Sequence, residues 1–400
     1  MAETIGSQPA QGGAFRILHV LSSERWTGAA EPAAALAAEQ RRQGHVVYFA
    51  SIGGASVERH IRSLGLDFIE GFQFDRRLNP GNLWRDLRRI RRVVAEARID
   101  IVHSHLPHDH WIAALAFGRR RPGMRPYLLR TIHRDAMPRR DVFHRWLVGK
   151  SVDRVLVVNE AQRRMLQEHV GLPGGRVCLV PGSVDLERFR PDCSGRAIRS
   201  ELNIGPEAPV AGIVARMQRH RGHHLFVDTV EQVAAQVPEA VLMLAGRGEL
   251  KRELLARIEG HPLRRHLRRI GHMADRLPEI YAAMDVAVLL VPGSDGSCRA
   301  MLEAMACGRP VIGTRRGAMV DTIRAGYNGW LVRPGDRDEL AGALGEALSQ
   351  PERTRRMGEN ARRHVERHHS RENHCRAVLE IYQEVVAEQR ANALAARAGR

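Results

Sequence analysis

The chain has 400 residues, and its 62 lysines and arginines against 45 aspartates and glutamates give a formal net charge of +17. This length corresponds to about two or three domains, and 44% hydrophobic residues are enough for sizeable cores. The five cysteines form no C-x-x-C pair, which argues against a disulfide scaffold or a zinc site and favours a reducing cytoplasm. Only 5% of residues are aromatic, which argues against a nucleic-acid partner, because single-strand binding needs stacking side chains.

The beginning of the chain and its apolar runs bear on localisation. Residues 1–14 lack the basic and then apolar layout of a signal peptide, and we expect them to form a disordered lead. No uncharged apolar run reaches the roughly 18 residues that a membrane-spanning helix needs. We therefore expect a cytoplasmic protein that is soluble or bound peripherally to the inner face of the membrane.

Apolar runs that alternate with helical segments predict an α/β protein with two doubly wound parallel sheets. The first series of predicted strands covers residues 15–21, 46–50, 99–105, 127–133, 154–158 and 176–180. A second series covers residues 209–216, 240–246, 286–291 and 309–314. The turn-rich segment near 182–205 lies between them and is interpreted as a linker. The predicted domains are therefore 15–190 and 191–370.

The most informative stretch is Pro292–Thr314, in which two acidic residues, Asp295 and Glu303, stand eight positions apart. A predicted strand ends just before this stretch, and a short helix is expected to begin near Arg299. Two carboxylates on one loop and helix can hold vicinal hydroxyl groups. Backbone N–H groups at the start of the helix can hold an anion; these belong to Ser297, Cys298 and Arg299. A sugar nucleotide combines both features.

This stretch, D-G-S-C-R-A-M-L-E-A-M-A-C-G-R-P-V-I-G-T, resembles the signature of retaining GT-B glycosyltransferases of the family 4 type, E-G-F-x-x-x-x-L-E-A-M-A-x-G-x-P-V-[IV]-[AG]-T. The resemblance implies two Rossmann-like domains that face a central cleft, with a C-terminal helix, 371–390, packed on the first domain. It also implies that Glu303 holds the ribose hydroxyls and that Asp295 faces the transferred hexose. The departures are Asp295 in place of glutamate and Ser297 in place of an aromatic residue. The shorter carboxylate shifts its oxygens by about 1.5 Å, enough to select another sugar epimer or to weaken catalysis.

Other segments of the predicted second domain also resemble this family. VARMQRHRG is similar to G-R-x-x-x-x-K-G, with Arg216 in the arginine position and Arg221 in place of lysine. Two guanidinium groups can neutralise a diphosphate leaving group without a metal, although arginine differs from lysine in reach and geometry. AGRGEL resembles the G-x-G turn of the family and contributes Gly246 to the donor site. GHMADRLPEIYAAMDVAVLL resembles the base-binding loop, helix and strand, which assigns His272 to the donor.

The predicted first domain carries two further resemblances. WTGAAEPAAALAAEQRRQGHVV is similar to the family segment G-G-A-E-x-x-x-x-x-L-A-x-x-L-x-x-x-G-H-x-V and keeps one of its two glycines. The resemblance assigns Gly28 to the donor and Trp26 to the acceptor, and a helix is expected to begin at Pro32. RTIHRDAM resembles the strand end T-V-H-G, which places His133 beside the reacting carbon, where it would bond the transferred sugar or the acceptor.

The segment HSHLPHDH contains four histidines, His103, His105, His108 and His110. The turn at Pro107 separates the first two from the last two, and no cysteine or carboxylate cluster accompanies them, so we predict that no metal is bound here. The segment also resembles the D-V-V-H-x-H strand end of the family. This favours His105 or His108 as a residue that lines the acceptor site.

The positive charge is concentrated in one quarter of the chain, since residues 51–150 hold 20 basic and 10 acidic side chains. A helix over 83–97 is predicted to bury an apolar stripe and to leave most of its arginines on other faces. These basic residues form two clusters: Arg85, Arg88, Arg89, Arg91 and Arg92, and then Arg119, Arg120, Arg121 and Arg125. Such a surface can contact anionic lipids or a phosphorylated acceptor. An arginine-rich composition on every solvated face is the alternative.

The resemblance implies retaining transfer of a hexose from a nucleotide-diphosphate sugar to a hydroxyl acceptor, without a metal or other cofactor. We expect the acceptor to be a lipid-linked or anionic glycan of the cell envelope. In this family the leaving phosphate itself is thought to take the proton of the acceptor hydroxyl. Two alternatives stay open: a non-catalytic GT-B subunit that binds a sugar nucleotide or a partner, and a sugar-nucleotide epimerase.

Overall fold

The computed structural model describes residues 13–26, 28–54, 56–75, 79–118, 126–134, 145–271, 273–293 and 296–398. The chain forms two compact units. The first unit joins the chain up to Pro181 with the segment from Arg371 onward, and the second unit spans Gly182–Ser370. The domain boundary expected at residue 190 and the segment interpreted as a linker therefore both lie within the second unit.

The first unit contains a seven-stranded sheet in which every pair of neighbouring strands is parallel, in the order β3-β2-β1-β4-β5-β6-β7. Its strands are β1 (Arg16–Leu21), β2 (Val46–Ile52), β3 (Asp67–Phe72), β4 (Ile101–Ser104), β5 (Tyr127–Ile132), β6 (Arg154–Val157) and β7 (Val177–Leu179). Its longer helices are α1 (Ala30–Arg42), α2 (Ser56–Ser63), α3 (Pro80–Glu96), α4 (Pro107–Phe117), α5 (Glu160–Met165) and the C-terminal helix (Arg371–Ala398). Shorter helical turns lie at Trp146–Lys150, Leu166–Val170 and Gly174–Arg176.

Successive side chains of β1 enter opposite hydrophobic cores, because residues alternate between the two faces of a strand. Ile17 packs with Val378 and Tyr382 of the C-terminal helix on one face of the sheet. Leu18 packs with Ile90 of α3 on the other face. Helices therefore cover both faces of the sheet, which explains why its central strands are almost continuously apolar.

The second unit contains a six-stranded parallel sheet in the order β10-β9-β8-β11-β12-β13. Its strands are β8 (Val210–Val214), β9 (Val241–Ala245), β10 (Leu267–Ile270), β11 (Val286–Leu289), β12 (Val311–Thr314) and β13 (Gly329–Val332). Its longer helices are α6 (Arg196–Glu201), α7 (His223–Asp228), α8 (Val230–Gln236), α9 (Lys251–Glu259), α10 (Leu277–Ala282), α11 (Arg299–Ala306), α12 (Ala318–Thr322), α13 (Arg337–Ser349) and α14 (Pro351–His368). Shorter turns lie at Arg219–Arg221, Arg264–His266 and Ala274–Arg276.

The sheet topology confirms the predicted fold of two doubly wound α/β domains and corrects it in detail. The strands β3, β10 and β13 were not predicted, and all three lie at a sheet edge, where a strand need not be continuously apolar. Helix α1 begins at Ala30 instead of Pro32, because proline is also tolerated later in a first turn that makes no N–H bonds. Among the helices of the described residues, none has the length and apolar character needed to cross a bilayer.

Each sheet has one point at which the order of its strands reverses. In the first unit it lies between β1 and β4, and in the second it lies between β8 and β11. Ligands of open α/β sheets bind beyond the carboxyl ends of the strands at such points. The residues that follow these strands are therefore the first place to look for a site.

Candidate functional site

Close backbone contacts shape the carboxyl edge of the second sheet. Gly246 follows β9 with φ of 150°, and a Cβ atom there would lie 2.1 Å from the carbonyl oxygen of Ala215, which follows β8. Gly248 approaches the carbonyl of Met217 in the same way, at 2.2 Å, and the N–H of Met217 donates to the carbonyl of Arg247. The predicted G-x-G turn is therefore required by packing, because any side chain would separate the two loops.

Arg216 and Arg221 lie next on this edge and have no counter-ion in the described part of the chain. Arg216 is exposed, and Arg221 is half-buried with its Nε buried and unpaired. Burial and the nearby charge of Arg216 lower the pKa of Arg221, although the neighbouring Cys298 acts in the opposite direction. Two cations held together without an anion form a site that favours a negatively charged ligand.

The guanidinium of Arg221 also lies against the loop that leads to the signature helix. A Cβ atom on Gly293 would stand 2.9 Å from its Nη1. Helix α11 begins at Arg299, as predicted, directly after Cys298, whose φ of 55° is unusual for a residue other than glycine. The structure therefore brings Arg221 and the start of the signature helix to one place.

Glu303 lies on α11, is 9% exposed, and is held by contacts that include Tyr281 and Arg299. The hydroxyl of Tyr281 donates to its Oε2 at 2.9 Å, and Nε of Arg299 lies 3.4 Å from its Oε1. Burial, followed by the neighbouring Glu303, holds the pKa of Tyr281 well above its usual range, so the phenol remains a donor. These contacts orient the carboxylate, a group that can accept hydrogen bonds from hydroxyls.

Sequence reasoning did not identify Tyr281. The residue stands on α10, within the segment that resembles the base-binding helix, and the approach of α10 to α11 brings it to Glu303. The predicted donor residues Asp295 and His272 lie outside the described residues, so their roles stay predictions. Ser297 is 6% exposed and packs against Gly182. A Cβ atom added to Gly182 would lie 2.2 Å from the Cβ of Ser297.

In the first unit, the structure brings together some of the predicted residues and separates others. His133 follows β5, is 6% exposed, and its Nε2 lies 3.1 Å from Nδ1 of His105, which follows β4. His108 instead stands on α4 with its ring 5.9 Å from that of Trp111, and its charge acts on Asp86 of α3. Of the two alternatives that the sequence left open, His105 is therefore the one beside His133.

The remaining predicted residues of the first unit lie in the loop before α1. Trp26 stacks on His60 of α2 with ring centroids 4.3 Å apart, and its backbone N–H donates to Oγ of Ser56. Gly28 lies in the turn that precedes α1. Trp26 is thus held by α2 and not by His105 or His133, and its predicted contact with the acceptor stays a prediction.

His19, His103 and His105 form a group whose ligand atoms all lie within 4.8 Å of one another, a size that suits a metal ion. His19 was not part of the sequence interpretation. All six ring nitrogens of the group already have hydrogen-bond partners, so a metal would have to displace these bonds. His110 is also committed, to Ser104 and the carbonyl of Leu147. That the site binds no metal stays a prediction.

Two family models cover most of the chain. The model for glycosyl transferases group 1 matches residues 195–364, and the model for glycosyltransferase family 4 matches residues 26–188. D-inositol 3-phosphate glycosyltransferase 2 of Catenulispora acidiphila is 30% identical over 67% of this chain and 67% of its own length. A GDP-mannose-dependent phosphatidylinositol monomannoside mannosyltransferase of Mycolicibacterium smegmatis is 28% identical over 53% of this chain and 57% of its own length. The chain thus spans about half to two thirds of these curated relatives.

Solved structures share the fold over more than nine tenths of the chain. A glycosyltransferase from Rickettsia africae superposes with a TM-score of 0.79, at 19% identity, over 94% of this chain and 99% of its own. HepE of Anabaena, solved in complex with UDP, superposes with a TM-score of 0.76, at 19% identity, over 92% of this chain and 100% of its own. Together with the family models, these matches confirm the predicted family: the chain belongs to the group 1 glycosyltransferases, which have the GT-B fold.

Proposed function

We propose that the protein is a retaining hexosyltransferase whose donor is a nucleotide-diphosphate sugar and whose acceptor is a hydroxyl group. The observation that carries this proposal is the pair formed by Arg216 and Arg221, two cations that have no counter-ion among the described residues and lie beside the start of the signature helix. A diphosphate gains negative charge as it leaves the sugar, and two guanidinium groups can stabilise that charge without a metal. No other cofactor is proposed.

The nucleoside is held by Glu303 in this proposal. Its carboxylate, oriented by Tyr281 and Arg299, accepts hydrogen bonds from the ribose hydroxyls. HepE of Anabaena, which shares the fold, was solved in complex with UDP-glucose, which supports a nucleotide sugar as the donor here. Asp295 faces the hexose in the proposed complex, and the leaving phosphate takes the proton of the acceptor hydroxyl.

The acceptor proposal rests on charge. Helix α3 buries Ile90 and Val93, as its periodicity predicted, and leaves arginines exposed on its other faces; these are Arg85, Arg88, Arg91 and Arg92. Trp84 on the same helix is 57% exposed, with the guanidinium of Arg88 4.4 Å from its ring centroid. We propose that this surface attracts an anionic acceptor or an anionic membrane. Relatives whose names include inositol 3-phosphate and phosphatidylinositol mannoside fit such an acceptor.

A vesicle experiment tests this surface. The protein should sediment with phosphatidylglycerol vesicles and not with phosphatidylcholine vesicles, and 0.5 M salt should release it, because screening weakens exposed charges. Replacing Arg88 and Arg92 by glutamate should weaken sedimentation. Equal binding to both kinds of vesicle would contradict the proposal.

The donor proposal is tested by a screen of nucleotide-diphosphate sugars. The cognate donor should raise the melting temperature by mass action, and its transfer to an anionic glycan acceptor should keep the anomeric configuration. Arg221→Ala should abolish transfer without unfolding the protein, because it removes half of the phosphate-binding charge. Arg219→Ala is the matched control, since Arg219 lies in the same turn with its side chain 81% exposed and 3.8 Å from Glu253.

Three results would count against this proposal. Near-normal turnover by Arg221→Ala would contradict the role of the arginine pair. Donor binding without transfer to any acceptor would instead support a non-catalytic subunit. Conversion of the donor to its epimer without an acceptor would support an epimerase.

A further inference from the structure

Buried polar side chains in the first unit form a chain of hydrogen bonds that ends at His133. Oε1 of Gln40 on α1 lies 2.7 Å from Nε2 of His19. Nδ1 of His19 lies 2.9 Å from Nε2 of His105, whose Nδ1 lies 3.1 Å from Nε2 of His133. Gln40, His19 and His105 are between 0% and 3% exposed. The parallel register of β1 and β4 makes this possible, because it places His19 opposite His103 and within reach of the strand end.

The positions of the protons in this chain follow from its first member. A neutral imidazole has one donor and one acceptor nitrogen, and we assign its tautomer from the hydrogen-bond network. Because the amide oxygen of Gln40 only accepts, Nε2 of His19 carries the proton and Nδ1 accepts. His105 must then donate from Nε2 and accept at Nδ1, and His133 must donate from Nε2. Nδ1 of His133 is left without a proton.

A second branch agrees with this assignment. Nε2 of Gln40 lies 3.3 Å from the hydroxyl of Tyr382 on the C-terminal helix. That hydroxyl lies 2.6 Å from Nδ1 of His103, whose Nε2 lies 2.7 Å from Oγ1 of Thr131. The amide donates to Tyr382, which donates to His103, which donates to Thr131. Turning the amide over would reverse both branches at once, so the orientation of one side chain sets the tautomers of four histidines.

The hydrogen-bond chain keeps this direction only while its histidines are neutral, because a protonated ring donates from both nitrogens. Burial lowers the pKa of His19 to about 4 and that of His133 to about 3. Burial also holds the pKa values of His103 and His105 well below their usual range. All four rings are therefore neutral near pH 7, as the assignment requires.

We propose that Gln40, His19 and His105 are positioning residues that hold His133 in its Nε2–H tautomer, so that its bare Nδ1 accepts a hydrogen bond from a substrate hydroxyl. Within the described residues, this Nδ1 has no hydrogen-bond partner and is not completely buried. The inference rests on the proposed function, which supplies a substrate rich in hydroxyl groups. A site that accepts a hydroxyl hydrogen rejects an analogue that lacks the hydroxyl.

The tautomers can be measured directly in the full-length protein labelled with ¹⁵N-histidine. Long-range ¹H–¹⁵N correlation spectra at pH 7.5 should show protonated Nε2 and bare Nδ1 for His133, identified by the signal that His133→Asn removes. A protonated Nδ1 on His133, or Zn²⁺ shifting the signals of His19, His103 and His105 at one equivalent, would overturn the proposal. The spectra need no donor or acceptor, so their outcome is independent of transferase activity.

Substitution of Gln40, the first residue of the hydrogen-bond chain, gives the kinetic test. Gln40→Leu removes the group that orients the chain and should leave His133 as a mixture of tautomers. We expect kcat to fall about tenfold, the worth of one hydrogen bond, while the KM of the donor changes less than twofold. Gln43→Leu is the control, because Gln43 follows the same helix but lies exposed, and its side-chain amide donates to the surface residue Glu39. An unchanged His133 tautomer in Gln40→Leu would contradict the role of Gln40.

Discussion

The carboxyl edges of the two sheets differ in the kind of polarity that they present. The second unit holds two arginines that have no counter-ion in the described part of the chain, and a carboxylate fixed by a tyrosine. The first unit holds neutral histidines that are buried and hydrogen-bonded to one another. The same type of sheet therefore supports two different chemistries. The second unit presents positive charge, whereas the first unit presents uncharged hydrogen-bonding groups with defined directions.

This difference fits the two substrates of a glycosyltransferase. A diphosphate is recognised through its charge, which guanidinium groups bind strongly even near water. A hydroxyl group carries no charge and is recognised by the direction in which it donates or accepts. A neutral imidazole supplies such direction only if its tautomer is set, and the buried chain from Gln40 can set it.

The largest expected difference between the units is their response to acid. A histidine with a lowered pKa takes up its proton only when the protein unfolds, so the unfolded state binds more protons below pH 6.5. As the pH falls toward the pKa that such a histidine has in the folded state, each histidine lowers the free energy of unfolding by about 1.4 kcal/mol per pH unit. The described part of the first unit contains seven such histidines: His19, His45, His103, His105, His110, His133 and His374. In the second unit the corresponding residues are His223 and His364.

Hydrogen exchange at pH 6.5 and pH 4.5, corrected for intrinsic rates, measures this response. Strands β1, β4 and β5 should lose more protection than β8, β11 and β12. Burial raises the pKa of Asp109 in the first unit to about 7 and also raises that of Asp86, which acts in the opposite direction and offsets part of the effect of the histidines. Equal loss of protection in both units would contradict the assignment of neutral, buried histidines.

The second prediction concerns the backbone contact that shapes the second edge. Gly246→Ala should cost about 2 to 4 kcal/mol of unfolding free energy, because its Cβ would lie 2.1 Å from a carbonyl oxygen. Gly44→Ala in the first unit is the control, since Gly44 has φ of 89° but nothing within 4 Å of its Cβ, and should cost about 1 kcal/mol. Urea unfolding followed by circular dichroism measures both. A smaller loss for Gly246→Ala than for the control would contradict the close approach of the loops.

The third prediction removes one hydroxyl from each edge. Tyr281→Phe should raise the KM of the donor about tenfold, because Glu303 loses the hydrogen bond that orients it. Tyr382→Phe removes the hydroxyl between Gln40 and His103 and should leave the KM of the donor within twofold. Steady-state kinetics with a saturating acceptor distinguishes the two. A larger effect on donor KM from Tyr382 would reverse the division of roles between the units.

The sequence predicted those features that one segment carries by itself. The central strands were predicted because they are mostly apolar, and the start of α11 at Arg299 was predicted from one continuous motif. Features that depend on how segments meet were missed. Tyr281 reaches Glu303 only because two helices pack together, and His19 joins the histidine chain only through the register of β1 and β4. A polar residue in an apolar run was the one available signal for His19.

The central claim is that the second unit binds the nucleoside diphosphate through its arginine pair, whereas the histidines of the first unit do not. Calorimetry with whichever of UDP, GDP and ADP binds most tightly tests it directly. We predict that Arg221→Ala weakens binding about 100-fold, the worth of a charge-assisted hydrogen-bond pair, and that His133→Ala changes binding less than twofold. Binding by Arg221→Ala that equals the wild type, or equal losses in both variants, would contradict the account.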